Sequence, residues 1–211
     1  MFTEHFLLAL FWLLFGLLHS VFAAEKWKKN IQVTMKGNYK YYRLLYSIFA
    51  FLSLAVIIAY HVVIKTVLLW QTSMLEIVIA TAGMIAGAVI MIFFTKKFFF
   101  ELSGADVFLK TKRSDVLLKT SLYNYVRHPL YTATLLFIWS IFFLHPSLSN
   151  VISCSCITVY TIIGIYFEEK KLVKDFGESY VQYRAETPML IPNLSTIINS
   201  QRNEKRNISK Q

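Results

Sequence analysis

Residues 123–139, YNYVRHPLYTATLLFIW, place an arginine, a histidine and a proline directly before an apolar run. Pro129 fits the first turn of a helix, because that position has no intrahelical use for the N–H that proline lacks. His128 then stands at the helix cap, and Arg127 adds a cation with a planar fork of donors. Since a helix N-terminus also carries unpaired N–H groups and the positive end of the helix dipole, these residues predict an anion-binding corner. Three tyrosines flank the corner, at positions Tyr123, Tyr125 and Tyr131.

A second group of polar residues follows the last apolar run, at 166–192, with the sequence YFEEKKLVKDFGESYVQYRAETPMLIP. This sequence predicts a helix that leaves the membrane and ends near Phe176, with Gly177 as its C-terminal cap. A short helix over about 178–186 should follow, with Tyr180 on one side, and the prolines after it should end it.

The paired carboxylates Glu168 and Glu169 come near the end of the longer helix. Because the turn residues HPSLSN at 145–150 join the last two apolar runs, these runs should form an antiparallel hairpin. The carboxylates should then be neighbours of Arg127 and His128, and an anion corner facing a carboxylate suits a zwitterion such as an amino-acid head group. A purely structural interpretation stays open, in which the arginine pairs with a glutamate and the tyrosines form an interfacial belt.

The composition indicates an integral membrane protein. The 211 residues are 56% hydrophobic with a mean hydropathy of +0.50, and a soluble domain is rarely so apolar. Five apolar segments approach the roughly 20 residues that a spanning helix needs; they lie at about 2–24, 44–64, 75–94, 130–144 and 148–167. The expected fold class is therefore all-α, a polytopic membrane protein of about five transmembrane helices with a C-terminal helical hairpin.

Basic residues predict the orientation in the membrane. All but Lys65 of the 22 lysines and arginines flank the same ends of these helices, in loops at about 25–43 and 95–127 and in the C-terminal region. Because basic loops stay in the cytoplasm, the N-terminus should lie outside and the C-terminus in the cytoplasm. The net charge of +10 is attributed to anionic membrane lipids and not to nucleic acid. The start, MFTEH, lacks the basic stretch of a signal peptide, which favours a retained first helix.

His19 and His61 fall inside apolar segments. An ionisable group within a span is a functional candidate by default, and a hydrogen bond to a neighbouring helix is the structural alternative. The structural alternative is favoured for His61, and both interpretations stay open for His19. Cys154 and Cys156, two apart on one helix, point to different faces and are interpreted as packing residues. The sequence has no cluster with metal-ligand spacing, so no metal is expected.

Taken in order, these motifs resemble the isoprenylcysteine carboxyl methyltransferase superfamily of membrane methyltransferases. Its pattern is Arg-His-Pro-x-Tyr, a helical hairpin, Glu-Glu, then Phe-Gly-x-x-Tyr-x-x-Tyr and a closing proline, and residues 121–192 match it. The segments FWLLFGLLHSVFA and YYRLLYSIFAFLSL are more similar to the small-thiol S-methyltransferase branch than to the prenyl-protein branch. Two positions depart from the pattern, since Ala133 stands where glycine is frequent and Asn124 where a basic residue is frequent.

The resemblance implies a methyltransferase with a cytoplasmic site for S-adenosyl-L-methionine, whose methionine end is a zwitterion. The acceptor would be a small apolar or lipid-like thiol, carboxylate or amine, and membrane lipids would be the other partners. Catalytic roles are implied for Arg127, His128 and Tyr131, while Ala133 would narrow the space where the hairpin helices approach the cofactor. The implied cofactor-binding residues are Tyr125, His128, Pro129, Tyr131, Glu168, Glu169 and Tyr180.

The expected organisation has N-terminal helices at 1–95, a catalytic region at 96–195 and a polar tail at 196–211. Two other classes of protein stay open. A membrane sterol or steroid reductase has a similar tyrosine-proline ending, but its nicotinamide cofactor would need more phosphate-binding cations and usually more spans. A non-enzymatic sensor or assembly protein would use the same corner to bind lipid head groups.

Overall fold

A computed structural model describes residues 2–103 and 121–193 of the protein. Within these ranges the chain is helical, and its β structure is a single isolated bridge between Leu68 and Ser147. The helices are α1 (Phe2–Ala23), α2 (Glu25–Met35), α3 (Tyr42–Val63), α4 (Met74–Ser103), α5 (Pro129–Leu144), α6 (Leu148–Phe176) and α7 (Glu178–Glu186). Short 3₁₀ helices at Lys36–Tyr41 and Ser121–Asn124 precede α3 and α5. The all-α prediction is confirmed.

Among the described residues, four stretches are long and apolar enough to cross a membrane: Phe2–Ala23, Glu25–Val63, Met74–Lys96 and Leu148–Phe176. The fifth apolar helix, α5, has 16 residues. At roughly 1.5 Å per residue it is about 24 Å long, somewhat less than the hydrocarbon core of about 30 Å. The predicted multi-pass architecture of about five spans is confirmed.

The helix ends gather at two opposite faces of the bundle. At one of them, here called the turn end, the connection between α3 and α4 meets the turn between α5 and α6. Leu69 N donates to Pro146 O at 2.7 Å, and Leu148 N donates to Val67 O at 3.0 Å. The other face, here called the site end, holds the start of α5 and the polar end of α6. Successive spans therefore alternate in direction, as the sequence predicted.

A directional chain of hydrogen bonds joins α1, α3 and α6 near the turn end. Trp12 Nε1 donates to Ser153 Oγ at 2.9 Å, and this hydroxyl lies 3.0 Å from His61 Nδ1. Asn150 Nδ2 donates to the His145 carbonyl at 2.7 Å, which directs Asn150 Oδ1 towards His61 Nε2 at 2.9 Å. Because an amide oxygen only accepts, Nε2 carries the imidazole proton and Nδ1 accepts from the serine. The hydrogen-bonded, structural interpretation of His61 is confirmed.

Helix α5 packs most closely against α4, and less closely against its hairpin partner α6. A Cβ added to Gly83 would lie 2.6 Å from Ser140 Oγ, and one added to Gly87 would lie 2.9 Å from the Ala133 carbonyl oxygen. Small residues four apart let membrane helices approach backbone to backbone. The expectation that Ala133 narrows the space where the hairpin helices approach the cofactor stays a prediction. Ala133 is fully buried, and its carbonyl oxygen lies against Gly87 of α4.

Two basic stretches differ from the predicted loops. The first is largely helical, because α2 occupies Glu25–Met35, with no buried residue. A polar helix of this kind is typical of one that lies along a membrane surface, and Lys171 of α6 pairs with Glu25 at 3.7 Å. In the second stretch, α4 continues through the boundary expected at residue 95. Residues 104–120 of this stretch and the tail expected at 196–211 lie outside the described residues.

Candidate functional site

Arg127 and Glu169 form a buried ion pair at the site end. Arg127 Nε lies 2.7 Å from Glu169 Oε1, and the side chains are only 10% and 12% exposed. The guanidinium also donates through Nη1 to the carbonyl oxygens of Arg184 and Thr187. A buried charge is tolerated when a counter-charge and further hydrogen bonds satisfy it, as they do here. The pair therefore fixes the start of α5 to the end of α6 and to the chain around the end of α7.

The segment that follows α7 lies alongside the start of α5 and is bonded to it. The hydrogen bonds run from Arg127 N to Pro188 O (2.9 Å), from His128 N to Met189 O (3.2 Å) and from Thr132 Oγ1 to Leu190 O (2.8 Å). The backbone N–H groups of Arg127 and His128 are thus used within the chain. The anion corner predicted from the sequence is consequently smaller than expected, since these two donors already have acceptors.

His128 is the N-cap of α5, as predicted, and its side chain is buried. Its Nε2 lies 3.1 Å from Glu169 Oε1, and its Nδ1 lies 3.9 Å from Glu168 Oε2. Because a carboxylate only accepts, the proton is assigned to Nε2, the nitrogen in hydrogen-bond range. The imidazole also lies against Tyr131, with 5.7 Å between ring centroids. The structure therefore brings the predicted site residues into one cluster, which consists of Arg127, His128, Tyr131, Glu168 and Glu169.

The two glutamates of the pair have different environments. Glu169 is buried and accepts hydrogen bonds from Arg127 and His128. The side chain of Glu168 is 44% exposed, and within the described part of the chain it forms no ion pair with a lysine or arginine. Tyr131 also lies close to Glu168. Glu168 is therefore the carboxylate that is available to a cationic group of a ligand.

Tyr180 of α7 lies beside the ion pair and is 1% exposed. Burial, and then the negative charge of Glu169, raise the pKa of Tyr180 to about 12, so the phenol is protonated at neutral pH. Its hydroxyl has no hydrogen-bond partner among the described residues. A buried polar group without a partner costs roughly 1–3 kcal/mol. The hydroxyl is consequently a candidate contact for a polar ligand.

Two of the predicted cofactor residues lie on another side of α5. Tyr125 and Pro129 line a groove of about 420 Å³ together with Ile90 of α4 and Thr132. Tyr131 instead contacts His128 and the Glu168 side of the helix. The structure thus separates this groove from the carboxylates, and the cofactor-binding roles of Tyr125 and Pro129 stay predictions.

The family model described as NnrU protein matches residues 7–199. The chain belongs to the NnrU family. No solved structure matches this NnrU-family chain.

Several curated proteins named methanethiol S-methyltransferase are similar to this NnrU-family chain. The protein of Crocosphaera subtropica is 41% identical over 70 residues, which are 33% of this chain and 27% of that protein. The protein of Pseudomonas deceptionensis is 35% identical over 100 residues, covering 45% and 37% of the two chains. Methanethiol S-methyltransferase 1 of Bradyrhizobium diazoefficiens is 29% identical over 190 residues, covering 85% and 64%. The chain thus spans less than two thirds of each of these relatives. Their names confirm the resemblance to the membrane methyltransferase group, and they suggest its small-thiol branch.

Two tyrosines of this NnrU-family chain were not predicted from the sequence, one on the side of α6 that leads to the cluster and one in contact with α1. Tyr160 of α6 lies close to Tyr131, and a Cβ added to Gly16 of α1 would lie 2.9 Å from its ring. The sequence signal that could have indicated Tyr160 is its spacing of eight residues before Glu168, which places both residues on the same ridge of α6. Tyr46 of α3 was also missed, and only its tertiary contact with α1 reveals it.

Proposed function

We propose that this NnrU-family chain is an integral membrane methyltransferase that uses S-adenosyl-L-methionine to methylate a small apolar thiol. The observation that carries the proposal is Glu168, a partly exposed carboxylate with His128 and Tyr131 beside it. The cofactor brings a sulfonium and an ammonium group, and a carboxylate that no lysine or arginine neutralises is suited to such cations. The names of the relatives favour a thiol over a carboxylate or an amine as acceptor.

The residues of the site fit this cofactor. Glu168 would hold its ammonium group, while Tyr131 and the buried hydroxyl of Tyr180 would supply further polar contacts. Because the donors of Arg127 are directed at Glu169 and at backbone carbonyls, we propose that the catalytic role expected for it is a positioning role. It would fix His128 and the end of α6 in place.

The cofactor supplies an electrophilic methyl group and a neutral leaving group, so no acid is needed. The task of the chain is to hold the acceptor in line and to exclude water. A site at the ends of α5 and α6 lies at the boundary between water and bilayer. The polar cofactor would enter from the cytoplasm and the apolar acceptor from the membrane. This division requires the predicted orientation, with the site end and the C-terminus in the cytoplasm.

Incubation of the purified protein in detergent with methyl-labelled S-adenosyl-L-methionine and a small alkanethiol tests the proposal. Parallel reactions contain a fatty acid and a long-chain amine, and calorimetric titrations compare S-adenosyl-L-methionine with NADPH. We expect binding of the methyl donor and label in the thioether only. Binding of NADPH alone would favour the reductase, and binding of neither ligand would favour a sensor of lipid head groups.

A further inference from the structure

A polar cluster lies within the membrane-spanning helices, between the site end and the middle of α1. His19 Nε2 lies 2.7 Å from the hydroxyl oxygen of Tyr46 on α3. Tyr160 of α6 meets the imidazole edge-on, with 6.0 Å between ring centroids, and Phe15 lies 5.7 Å away. Three helices thus surround one histidine, and the proposed cofactor site does not use it.

We assign the imidazole proton of His19 to Nε2, from the contacts of Tyr46 and the burial of Nδ1. The phenol lies 3.3 Å from the His19 carbonyl oxygen, which can only accept, as well as 2.7 Å from Nε2. If the phenol donates its one hydrogen to the carbonyl, Nε2 carries the imidazole proton and donates to the phenol oxygen. His19 Nδ1 then carries a lone pair, and this buried atom has no hydrogen-bond partner within residues 2–103 and 121–193. The other tautomer would bury an unpaired N–H, which proteins tolerate less well than an unpaired acceptor.

His19 lies against Tyr160, and Tyr160 is on the same ridge of α6 as Glu168 of the proposed cofactor site, eight residues further along the chain. Tyr160 is within electrostatic range of Tyr131, and Tyr131 lies beside Glu168. An acceptor held between His19 and Glu168 would have the proposed ammonium-binding carboxylate at one end and an unused base at the other.

Tyr160 also borders a groove that opens towards the bilayer. Tyr160, Gly16 and Ser20 border an apolar groove of about 360 Å³ between α1 and α6. Leu13 and Leu17, which also border it, are 60% and 56% exposed on the surface of α1. In a membrane this surface faces lipid, so a small apolar molecule dissolved in the bilayer reaches the groove directly.

We propose that this groove admits the thiol and that His19 is the base that accepts its proton. The inference rests on the proposed function. The S–H proton moves to His19 Nδ1, the electron pair of the thiol sulfur forms a bond to the methyl carbon, and the bond from that carbon to the donor sulfonium breaks. Its electrons remain on the leaving sulfur, which becomes a neutral thioether, and the proton on the imidazole later passes to water.

The titratable groups in contact with His19 are Tyr46 from α3 and Tyr160 from α6, both phenols. Arg43, one turn before Tyr46, is the nearest charged residue along α3. Neither phenol is a stronger base than imidazole at neutral pH. The imidazole is therefore the group of this cluster that accepts a proton from a thiol.

The test compares His19→Ala and His19→Gln with His61→Gln, a control that alters the structural histidine at the turn end. The acceptors are an alkanethiol and an aromatic thiol that is largely ionised at neutral pH. General-base catalysis contributes about 10²–10⁴-fold, so we expect the His19 variants to lose at least about 10²-fold in kcat/KM with the alkanethiol. We expect a much smaller loss with the aromatic thiol, partial rescue by added imidazole, and an unchanged Kd for the methyl donor.

Equal losses with the two thiols, or no loss with either, would overturn the role of His19. Should the variants fail to fold, the wild-type pH profile decides. A base in the site makes kcat/KM for the alkanethiol level off near neutral pH, whereas dependence on thiolate from solution makes it rise tenfold per pH unit. Wild-type protein that transfers no methyl group would instead reject the proposed function, so the two failures are distinguishable.

Discussion

Glu168 and Glu169 are adjacent in the sequence, but their environments predict different effects of replacement by glutamine. Replacing Glu169 should lower stability, whereas replacing Glu168 should weaken cofactor binding. Glu169→Gln leaves Arg127 buried and without its counter-charge. Breaking a buried pair costs roughly 3–5 kcal/mol, and the lower end applies because glutamine keeps an oxygen acceptor. A loss of about 3 kcal/mol lowers Tm by roughly 6–12 °C in a chain of this size.

Glu168→Gln removes a partly exposed carboxylate that has no lysine or arginine partner among the described residues. The free energy of unfolding should therefore change by no more than about 0.5 kcal/mol. Loss of a hydrogen bond to a charged ligand group costs about 1.5–3 kcal/mol, so Kd for S-adenosyl-L-methionine should rise roughly 10- to 150-fold.

Thermal unfolding in detergent and calorimetric titration with S-adenosyl-L-methionine measure the two effects separately. Glu178→Gln, on the exposed first turn of α7, is the matched control and should change neither. Adding Arg127→Gln to Glu169→Gln should recover much of the lost stability, because no unpaired buried charge remains. The reasoning fails if Arg127→Gln instead rescues Glu168→Gln, or if Glu169→Gln weakens binding without lowering Tm.

Three further predictions concern the membrane topology, the packing of α5 and the phenol beside the ion pair. Reporter fusions should read inside, outside, outside and inside when placed after Lys40, Gln71, Asn150 and Gln211, and a cytoplasmic signal at the third position would contradict the hairpin. Gly87→Ala should lower the free energy of unfolding by about 1–3 kcal/mol, because its Cβ meets a backbone carbonyl that cannot move away, whereas the control Gly164→Ala has nothing within 4 Å of its Cβ; equal denaturation midpoints would contradict this packing. Because the pKa of Tyr180 is raised to about 12, from an ordinary value of about 10, the unfolded chain loses this proton first, and the free energy of unfolding should fall as the pH rises from about 10 to 12. Tyr180→Phe should remove this part of the alkaline destabilisation, and identical pH-stability curves for the variant and the wild type would show that the burial of the hydroxyl has no such effect.

Features that depend on local sequence were predicted correctly. Gly177 ends α6 with a φ of 56°, a conformation that glycine adopts without strain. Pro129 begins α5 with His128 as its cap, and the turn between α5 and α6 lies where the sequence placed it. Each of these features is decided by a few neighbouring residues, so the sequence alone contains the necessary information.

Features that depend on the rotation of one helix against another could not be predicted. Helix α5 is apolar around its whole circumference, so periodicity does not show which face meets α4. Adjacent residues on α6 point about 100° apart, and the sequence does not show which glutamate faces Arg127. The neighbours of His19 come from α3 and α6, which lie far from it along the chain, so its environment required the tertiary structure.

The hydrogen bonds between the start of α5 and residues 187–190 have a consequence for biosynthesis. The apolar helices of the described part of the chain are synthesised before the segment whose carbonyl groups accept from Arg127 and His128. During translation the bundle can therefore insert while the guanidinium still lacks part of its acceptor set. A nascent chain halted after α6 should be integrated into the bilayer, yet the start of α5 should remain open to protease. Release of the segment after α7 from the ribosome is then the step that completes the site.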